Sequence, residues 1–412
     1  MANITLISPP EQHLLMEAGD RPPMGLLYLA ANLRYHGHEP IISDLNHDSY
    51  RQLAVKLEGA DHIGITTSTP YYEWFTNFAK HLKQNYPDKS LIAGGPHATV
   101  DPDSLPMFDY VVVGEGERAL VDIVNGETER IVQRPYIKKL DLLPSPHPEM
   151  DEKVYGLNQE GHRTATILSS RSCPFTCFFC TKDILGKTQR KHSVARTMWE
   201  IHELKDKGYD SFYFLDDCFT ADNQRVSELA DDIIADELDI SFRFGTRTDK
   251  VNEGLLGKLQ EAGLRSISFG LEHFDDYVLK KTRKVNTTET HIKAIRMAKG
   301  LGLKVRGSFI VNLPGATSES AYKTLYQAMD EDIDFADFYP LIAYPGTPLW
   351  EDPNKWQCEI VDKSYGGYQT GTKTNVRTRN LEPEDTTHLV KDLRSKWAEH
   401  KGLDCPWEAH RD

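Results

Sequence analysis

The sequence predicts two consecutive α/β domains, each built on a parallel sheet, and a short C-terminal extension. Short apolar runs alternate with helical periodicity over residues 1–131, and the same alternation resumes over residues 163–350. The intervening residues 132–162 contain four prolines, at positions 135, 144, 146 and 148, which is typical of a linker between domains. After residue 350 the alternation weakens, and residues 351–412 form the extension.

The first domain contains five predicted strands, at Ile4–Ile7, Pro40–Ser43, His62–Thr66, Ser90–Ala93 and Tyr110–Val113. Helical patterns lie between them: Leu26, Leu29 and Leu33 share one helix face, and helices are expected at Tyr50–Leu57 and Tyr71–Gln84. Strands that alternate with helices form a parallel sheet covered on both faces. The predicted architecture is therefore a doubly wound, flavodoxin-like domain.

The second domain contains six predicted strands, at Ala165–Ser169, Ser211–Leu215, Ser241–Gly245, Ser266–Gly270, Lys304–Val311 and Phe338–Ala343. Helix faces separate them, and six βα units predict an open or partial (βα)6 barrel. Its chemistry is expected at the carboxyl ends of the strands. In the extension, Glu382–His400 is expected to form a terminal helix.

Composition excludes several classes of function. The 412 residues carry a formal net charge of −14, which disfavours general binding to nucleic acid. No window approaches the ~20 apolar residues of a membrane span. The first ten residues lack the charged start and cleavage site of a signal peptide, so a cytoplasmic location is expected.

Three of the six cysteines fall within eight residues, with the spacing Cys173-x3-Cys177-x2-Cys180. Three thiolates on one short loop can hold three irons of a 4Fe–4S cluster and leave the fourth iron open. Structural zinc is the alternative, but it needs a fourth ligand, and His192 lies twelve residues further on. Cys358 and Cys405, in the extension, are expected to be structural.

This cysteine motif, with Phe179 just before its last cysteine, resembles that of the radical S-adenosylmethionine (SAM) superfamily. The resemblance continues through segments at later strand ends, at residues 214–217, 270–272, 307–315 and 345–348. The first domain resembles the cobalamin-binding domain that precedes the barrel in one large subgroup. Its marks are residues 22–30, 94–99 and 113–117.

For the barrel, the resemblance implies that Cys173, Cys177 and Cys180 hold the cluster and that SAM binds its open iron. Phe179 would pack on the adenine or shield the cluster, and Glu272 would accept the ribose hydroxyls. Further candidates are Arg247 and Ser308 for the SAM carboxylate or ribose, Asn312 and Pro314 for a backbone contact to adenine, and Asp216, Asp217 and Cys218 for the active centre. The Asp pair has the alternative of capping a helix, and Cys218 that of a small semi-buried residue.

For the first domain, the resemblance implies cobalamin contacts at the carboxyl edge of the sheet. Thr67, Ser68 and Thr69 would contact its nucleotide tail, Gly94 and Gly95 would let the tail pass, and Glu115 and Gly116 would line the same edge. His97 is a weaker candidate, as a cobalt ligand. Tight βα turns are the alternative for each loop, because turns also favour glycine and hydroxyl residues.

Two departures from the family pattern stand out. Ser172 occupies the position before the first cysteine, where glycine is common, and a small effect on loop shape is expected. The sequence also lacks the Asp-x-His-x-x-Gly run of methionine-synthase-like cobalamin domains, so cobalt is expected to lack that histidine.

The resemblance implies a cobalamin-dependent radical SAM enzyme that methylates an unactivated carbon of a small molecule. Its partners would be that substrate and an electron donor such as flavodoxin or ferredoxin. Alternatives are a cobalamin-binding cyclase, rearrangement or ring-contraction enzyme, or a radical SAM enzyme whose first domain no longer binds cobalamin. A non-enzymatic cobalamin sensor fits less well, since a sensor needs no cluster with an open iron.

Overall fold

The computed structural model describes residues 1–10, 21–150, 155, 163–366 and 371–403. The chain forms two compact units. The first comprises Met1–His162, Lys182–His192 and Tyr365–Gln369, and the second comprises Arg163–Thr181, Ser193–Ser364 and Thr370–Asp412.

The first unit is built on a six-stranded parallel sheet of order β2-β1-β3-β4-β5-β6. Its strands are β1 (Asn3–Ser8), β2 (Glu39–Asp44), β3 (His62–Thr66), β4 (Ser90–Gly94), β5 (Tyr110–Val113) and β6 (Ile131–Gln133). Separate apolar clusters cover the sheet's two faces: Ile7, Ile63 and Phe75 belong to one, and Ile4 and Leu33 to the other. The doubly wound prediction is confirmed.

Helices connect these strands: α1 (Met24–Tyr35), α2 (Tyr50–Glu58), α3 (Tyr72–Asn85), α4 (Pro96–Val100) and α5 (Gly116–Val124). Single 3-10 turns lie at Thr69–Tyr71, Pro102–Ser104, Leu140–Leu142, His147–Glu149 and Lys182–Leu185, and a two-residue strand segment at Arg190–Lys191. Strand β6 falls at the start of the stretch expected as a linker and pairs in parallel with β5. Its three residues are too few to show the apolar alternation from which a strand is predicted.

The second unit contains a six-stranded parallel sheet whose strands follow each other in chain order. They are β7 (Thr164–Ile167), β8 (Ser211–Phe214), β9 (Ser241–Thr246), β10 (Leu264–Glu272), β11 (Lys304–Ile310) and β12 (Phe335–Tyr339). Phe212, Phe244 and Phe269 are fully buried, whereas the alternating Tyr213 and Arg243 are half-buried on the other face. This is the predicted partial (βα)6 barrel.

Helices cover this sheet: α6 (Val194–Asp206), α7 (Asn223–Ala235), α8 (Glu253–Glu261), α9 (Asp276–Lys281), α10 (Thr288–Gly300), α11 (Ser318–Asp330) and the short α12 (Pro348–Glu351). Side chains of Ser193, Asp222, Asn252, Asp275, Thr287, Thr317 and Thr347 accept hydrogen bonds from the first turns of these helices. A two-residue strand segment lies at Ser170–Arg171, and 3-10 turns lie at Phe219–Ala221, Thr248–Lys250 and Asn354–Trp356.

The extension adds an antiparallel pair, β13 (Cys358–Ile360) with β14 (Val376–Thr378), and a terminal helix, α13 (Pro383–Lys401), as predicted. Cys358 is buried, and Cys405 lies outside the described residues. None of the helices in the described part of the chain combines the length and the apolar content needed to cross a bilayer.

Candidate functional site

In the first unit, the loops after β3 and β4 are joined by hydrogen bonds through Thr67. Its backbone N–H and its hydroxyl both donate to the Gly94 carbonyl, at 2.7 and 2.9 Å, and its hydroxyl accepts from the Ala98 N–H at 3.1 Å. Thr67 is therefore buried in the joint between the loops, whereas Ser68 is half-buried. Of the predicted hydroxyl residues, Ser68 is the most accessible to a ligand.

Gly95 allows these two loops to approach closely. Its φ is +98°, and a Cβ at this position would lie 2.9 Å from the Thr67 carbonyl oxygen. Any larger residue would force the loops apart. At Gly94 an added Cβ would meet only the Val112 Cβ, at 3.9 Å, so no such constraint applies.

His97 lies fully buried below these loops. Its Nδ1 is 3.0 Å from the Thr69 hydroxyl, and its Nε2 is 2.9 Å from the Ser104 hydroxyl. Burial lowers the pKa of His97 to about 4, so the ring is neutral at physiological pH. Both ring nitrogens are engaged, which leaves neither for cobalt in this conformation.

Glu115, at the end of β5, is buried and paired. Both carboxylate oxygens lie 2.8 Å from Arg190 Nη1, and Oε2 accepts from the Ile137 N–H at 2.7 Å. Arg190 follows the cysteine loop in sequence but belongs to the first unit, and no sequence motif indicates its pairing with Glu115. Next to Glu115, an added Cβ on Gly116 would lie 2.9 Å from Leu29 Cδ2, so the helix α5 begins in close contact with α1.

In the second unit, the cysteine loop follows β7 and the Ser170–Arg171 segment. Cys173, Cys177 and Cys180 are half-buried and are free of disulfides. Ser172, before the first cysteine, is buried in the left-handed region with φ of +70°. A glycine would adopt this conformation without steric cost, whereas a serine adopts it at some cost.

Two of the cysteines contact strand-end residues. The Cys173 thiol shares a hydrogen bond with Cys218, which raises the pKa of Cys173, and Cys218 Sγ lies 3.4 Å from the Thr246 hydroxyl at the end of β9. Arg247 Nη1 lies 3.9 Å from Cys177 Sγ. Burial raises the pKa of Cys177, and the charges of Lys284 and Arg247 oppose that rise.

Arg247 is held in place on several sides. Its Nε and Nη2 donate to the two carboxylate oxygens of Asp249, at 2.8 and 3.0 Å, and Nη2 also donates to Asn286 Oδ1 at 3.0 Å. The guanidinium carbon lies 4.1 Å from the centre of the Phe175 ring, within the cysteine loop. A fixed cation therefore lies beside Cys177, and no sequence motif indicates its partners Asp249 and Asn286.

Asp216 is buried at the end of β8 and supports the start of the cysteine loop. Its carboxylate accepts from the Ser169 N–H at 3.1 Å, from the Ser169 hydroxyl at 2.9 Å, and from the Ser170 hydroxyl. Burial raises its pKa against the opposing effect of these bonds. Asp217, the next residue, is exposed and accepts a hydrogen bond from the Ser172 backbone.

Glu272 ends β10 at a register shift in its pairing with β11, with φ of +65°. Its Oε1 lies 2.6 Å from Lys284 Nζ, which also donates to the Gly270 carbonyl at 2.5 Å. Both side chains are almost fully buried. The predicted ribose residue is thus part of a buried ion pair with Lys284, which no sequence motif indicates.

The other candidates differ in exposure. Phe179 is half-buried and makes an edge contact with Phe178, with ring centres 5.3 Å apart. Ser308 is half-buried in β11, opposite Gly270 of β10. Asn312 is fully buried, and its Oδ1 accepts from the Leu341 N–H, while Pro314 is buried two residues later.

The residues suit the implied cofactors. Within the described part of the chain, no group of three or more His, Cys, Asp or Glu side chains is spaced to hold a single metal ion. A four-iron cubane separates its thiolates more widely than one ion does, and the three cysteine thiols of one loop would provide its donor set, with the charges of Arg247 and Lys284 acting on Cys177. In the first unit, the Ser68 hydroxyl and the backbone of the loops around Gly94 and Gly95 would provide polar groups for cobalamin.

Two family models match the chain. The radical SAM superfamily model matches residues 167–326, and the B12-binding domain model matches residues 17–124. The first match begins in β7, contains the cysteine loop and extends into α11. The second covers α1 to α5, including the loops around Thr67 and Gly95.

Similar proteins span most of the chain. An uncharacterized methyltransferase of Pyrococcus horikoshii is 32% identical over 384 residues, covering 84% of this chain and 82% of that protein. An anaerobic magnesium-protoporphyrin IX monomethyl ester cyclase of Rubrivivax gelatinosus is 26% identical over 371 residues, covering 81% and 67%. The fold is similar to that of the radical SAM methyltransferase TsrM of Kitasatospora setae, solved with cobalamin and a 4Fe–4S cluster. The TM-score is 0.68 at 15% sequence identity, and the match covers 85% of this chain and 77% of TsrM.

Proposed function

Because the chain belongs to the radical SAM superfamily and carries a B12-binding domain, we propose that it methylates an unactivated carbon of a small molecule. One observation carries the proposal: a loop with three closely spaced cysteines, none in a disulfide, follows the first strand of a (βα)6 unit in a chain that also has a cobalamin domain. Methyl transfer to an inert C–H bond needs both a radical and a methyl donor, and so uses both domains.

In this proposal Cys173, Cys177 and Cys180 hold the cluster. When bound, the cluster, SAM and cobalamin together supply a substrate radical and a methyl group. Arg247, fixed by Asp249, places positive charge beside Cys177 and so stabilises the negative charge of a thiolate there. The buried Asp216 carboxylate holds Ser169 and Ser170, and thereby the backbone that enters the cysteine loop.

We further propose residues that contact cobalamin and SAM, and a class of electron donor. Ser68, half-buried in the loop after β3, contacts the cobalamin tail. Glu272 accepts hydrogen bonds from the SAM ribose hydroxyls while Lys284 neutralises its charge. The cluster must receive electrons, so the protein uses a donor such as flavodoxin or ferredoxin. We place the protein in the cytoplasm, where such donors and free thiols are kept reduced.

A cyclase is the second candidate, because a magnesium-protoporphyrin cyclase is among the relatives. Anaerobically reconstituted protein should be incubated with methyl-labelled SAM and a low-molecular-weight extract of its host, with Cys177→Ala as the matched control. Methyl transfer predicts one S-adenosylhomocysteine and one 5′-deoxyadenosine per turnover, and label in a new product. Deoxyadenosine alone, without a methylene gain in any product, would favour the cyclase.

A further inference from the structure

Tyr365, in the C-terminal extension, packs within the first unit, which carries the cobalamin domain. Tyr365 belongs to the first unit, although the chain up to Ser364 belongs to the second. The backbone of Tyr365 has a φ of +62°, in the left-handed region that a bulky residue rarely adopts. Such a conformation persists only where surrounding contacts hold it in place.

Those contacts are specific. The Tyr365 ring centre lies 4.9 Å from that of Tyr72 and 5.0 Å from that of His97, in edge-on arrangements. The Tyr365 hydroxyl donates to Asp101 Oδ2 at 2.5 Å. Asp101 directly follows α4, the helix that carries His97. Tyr365 thus holds both the ring of His97 and the end of its helix.

His97 in turn supports the loop after β3. Its Nδ1 contacts the Thr69 hydroxyl at 3.0 Å, and Thr69 follows Ser68, which is half-buried whereas Thr67 and Thr69 are buried. The His97 N–H also donates to the Thr67 carbonyl at 3.0 Å. A continuous set of contacts therefore runs from Tyr365 through His97 to the loop that we assign to the cobalamin tail.

We propose that Tyr365 is a positioning residue for the nucleotide tail of cobalamin, and that the extension thereby completes the cofactor site of the first unit. The inference rests on the proposed placement of the tail at the β3 and β4 loops. It assigns Tyr365 no contact with the corrin ring, so its effect should depend on whether the ligand has a tail.

The test compares two ligands on the full-length, cluster-reconstituted protein. Hydroxocobalamin carries the nucleotide tail, and diaquacobinamide has the same corrin without it. An absorbance titration of the protein with each ligand gives the dissociation constant for that ligand. Tyr365→Ala should weaken cobalamin binding tenfold or more and leave cobinamide binding within twofold. Tyr365→Phe keeps the ring and loses the bond to Asp101, so it should weaken cobalamin binding about fivefold.

Controls separate this effect from general damage. Tyr326→Ala, on the exposed side of α11 in the second unit, should change neither constant, and iron content should be equal in all variants. If Tyr365→Ala fails to fold, the two dissociation constants are compared in Tyr365→Phe and Asp101→Asn, which respectively remove and weaken the bond between Tyr365 and Asp101. Equal weakening of both ligands, or unchanged cobalamin binding, would overturn the inference, whereas wild-type protein that binds no cobalamin would overturn the proposed placement of the tail itself.

Discussion

Removing the cation beside Glu272 should destabilise the second unit strongly. In Lys284→Met, the Glu272 carboxylate loses the ammonium that lies 2.6 Å away, in a pair whose side chains are only 10% and 3% exposed. Breaking such a buried pair by removing one partner costs about 3–5 kcal/mol, because the remaining charge stays desolvated. Removing both charges restores most of that loss, so Glu272→Gln combined with Lys284→Met should cost only about 1 kcal/mol.

Urea unfolding followed by tryptophan fluorescence measures these values in the second unit, which contains Trp199, Trp350, Trp356 and Trp397. Lys280→Met, on the exposed face of α9, is the matched control and should shift stability by no more than about 0.5 kcal/mol.

The double variant also separates stability from function. If Glu272 binds the SAM ribose, the double variant should regain stability but still bind SAM weakly. Two results would refute the energetic reasoning: a loss below about 1 kcal/mol in Lys284→Met, or additive losses in the double variant.

Cys177→Ala should abolish formation of 5′-deoxyadenosine and Cys358→Ala should not, because only the former thiol lies in the cluster loop; a wild-type rate from Cys177→Ala in product analysis would contradict the cluster assignment. Ser172→Gly should stabilise the protein by up to about 1 kcal/mol in urea unfolding, since it relieves a left-handed φ of +70°, and a lower midpoint would count against this account. Paramagnetic resonance of the cobalt(II) form should show no strong histidine nitrogen splitting; a splitting that disappears in His97→Ala would prove His97 a ligand. Burial lowers the pKa of His97 to about 4, so between pH 6.5 and 4 its ring is protonated in the unfolded chain but not in the folded one. The free energy of unfolding should therefore fall by about 3 kcal/mol over that interval, and by less in His97→Gln.

Most of the fold could be predicted because parallel strands buried on both faces leave a clear apolar signal. His62–Thr66 and Tyr110–Val113 were predicted to the residue, and the ends of the other three predicted strands of the first unit differ by at most one position. The shortest strand, Ile131–Gln133, carries too little pattern to be recognised, and its place follows only from pairing with β5. Tertiary pairing, rather than local propensity, decides such segments.

The candidate site could be predicted only in part. Arg247 and Glu272 were identified through the resemblance to the radical SAM superfamily, and their positions at strand ends agree with the gathering of function at one edge of a parallel sheet. Their partners were not, since no periodicity connects Arg247 to Asn286, 39 residues away, or Glu115 to Arg190, 75 residues away. Backbone conformation was equally hidden, because nothing in the residue type of Ser172 indicates a positive φ.

The partners of these strand-end residues lie in the connections between helices and strands, not at the strand ends themselves. Lys284 and Asn286 lie between α9 and α10, and Arg190 lies in the segment that follows the cysteine loop. Burying a charge at a strand end requires a counter-charge from elsewhere in the chain, and the connections are the segments that pass over that edge. Substitutions in these connections should therefore impair the sites as much as substitutions at the strand ends, although no motif marks them.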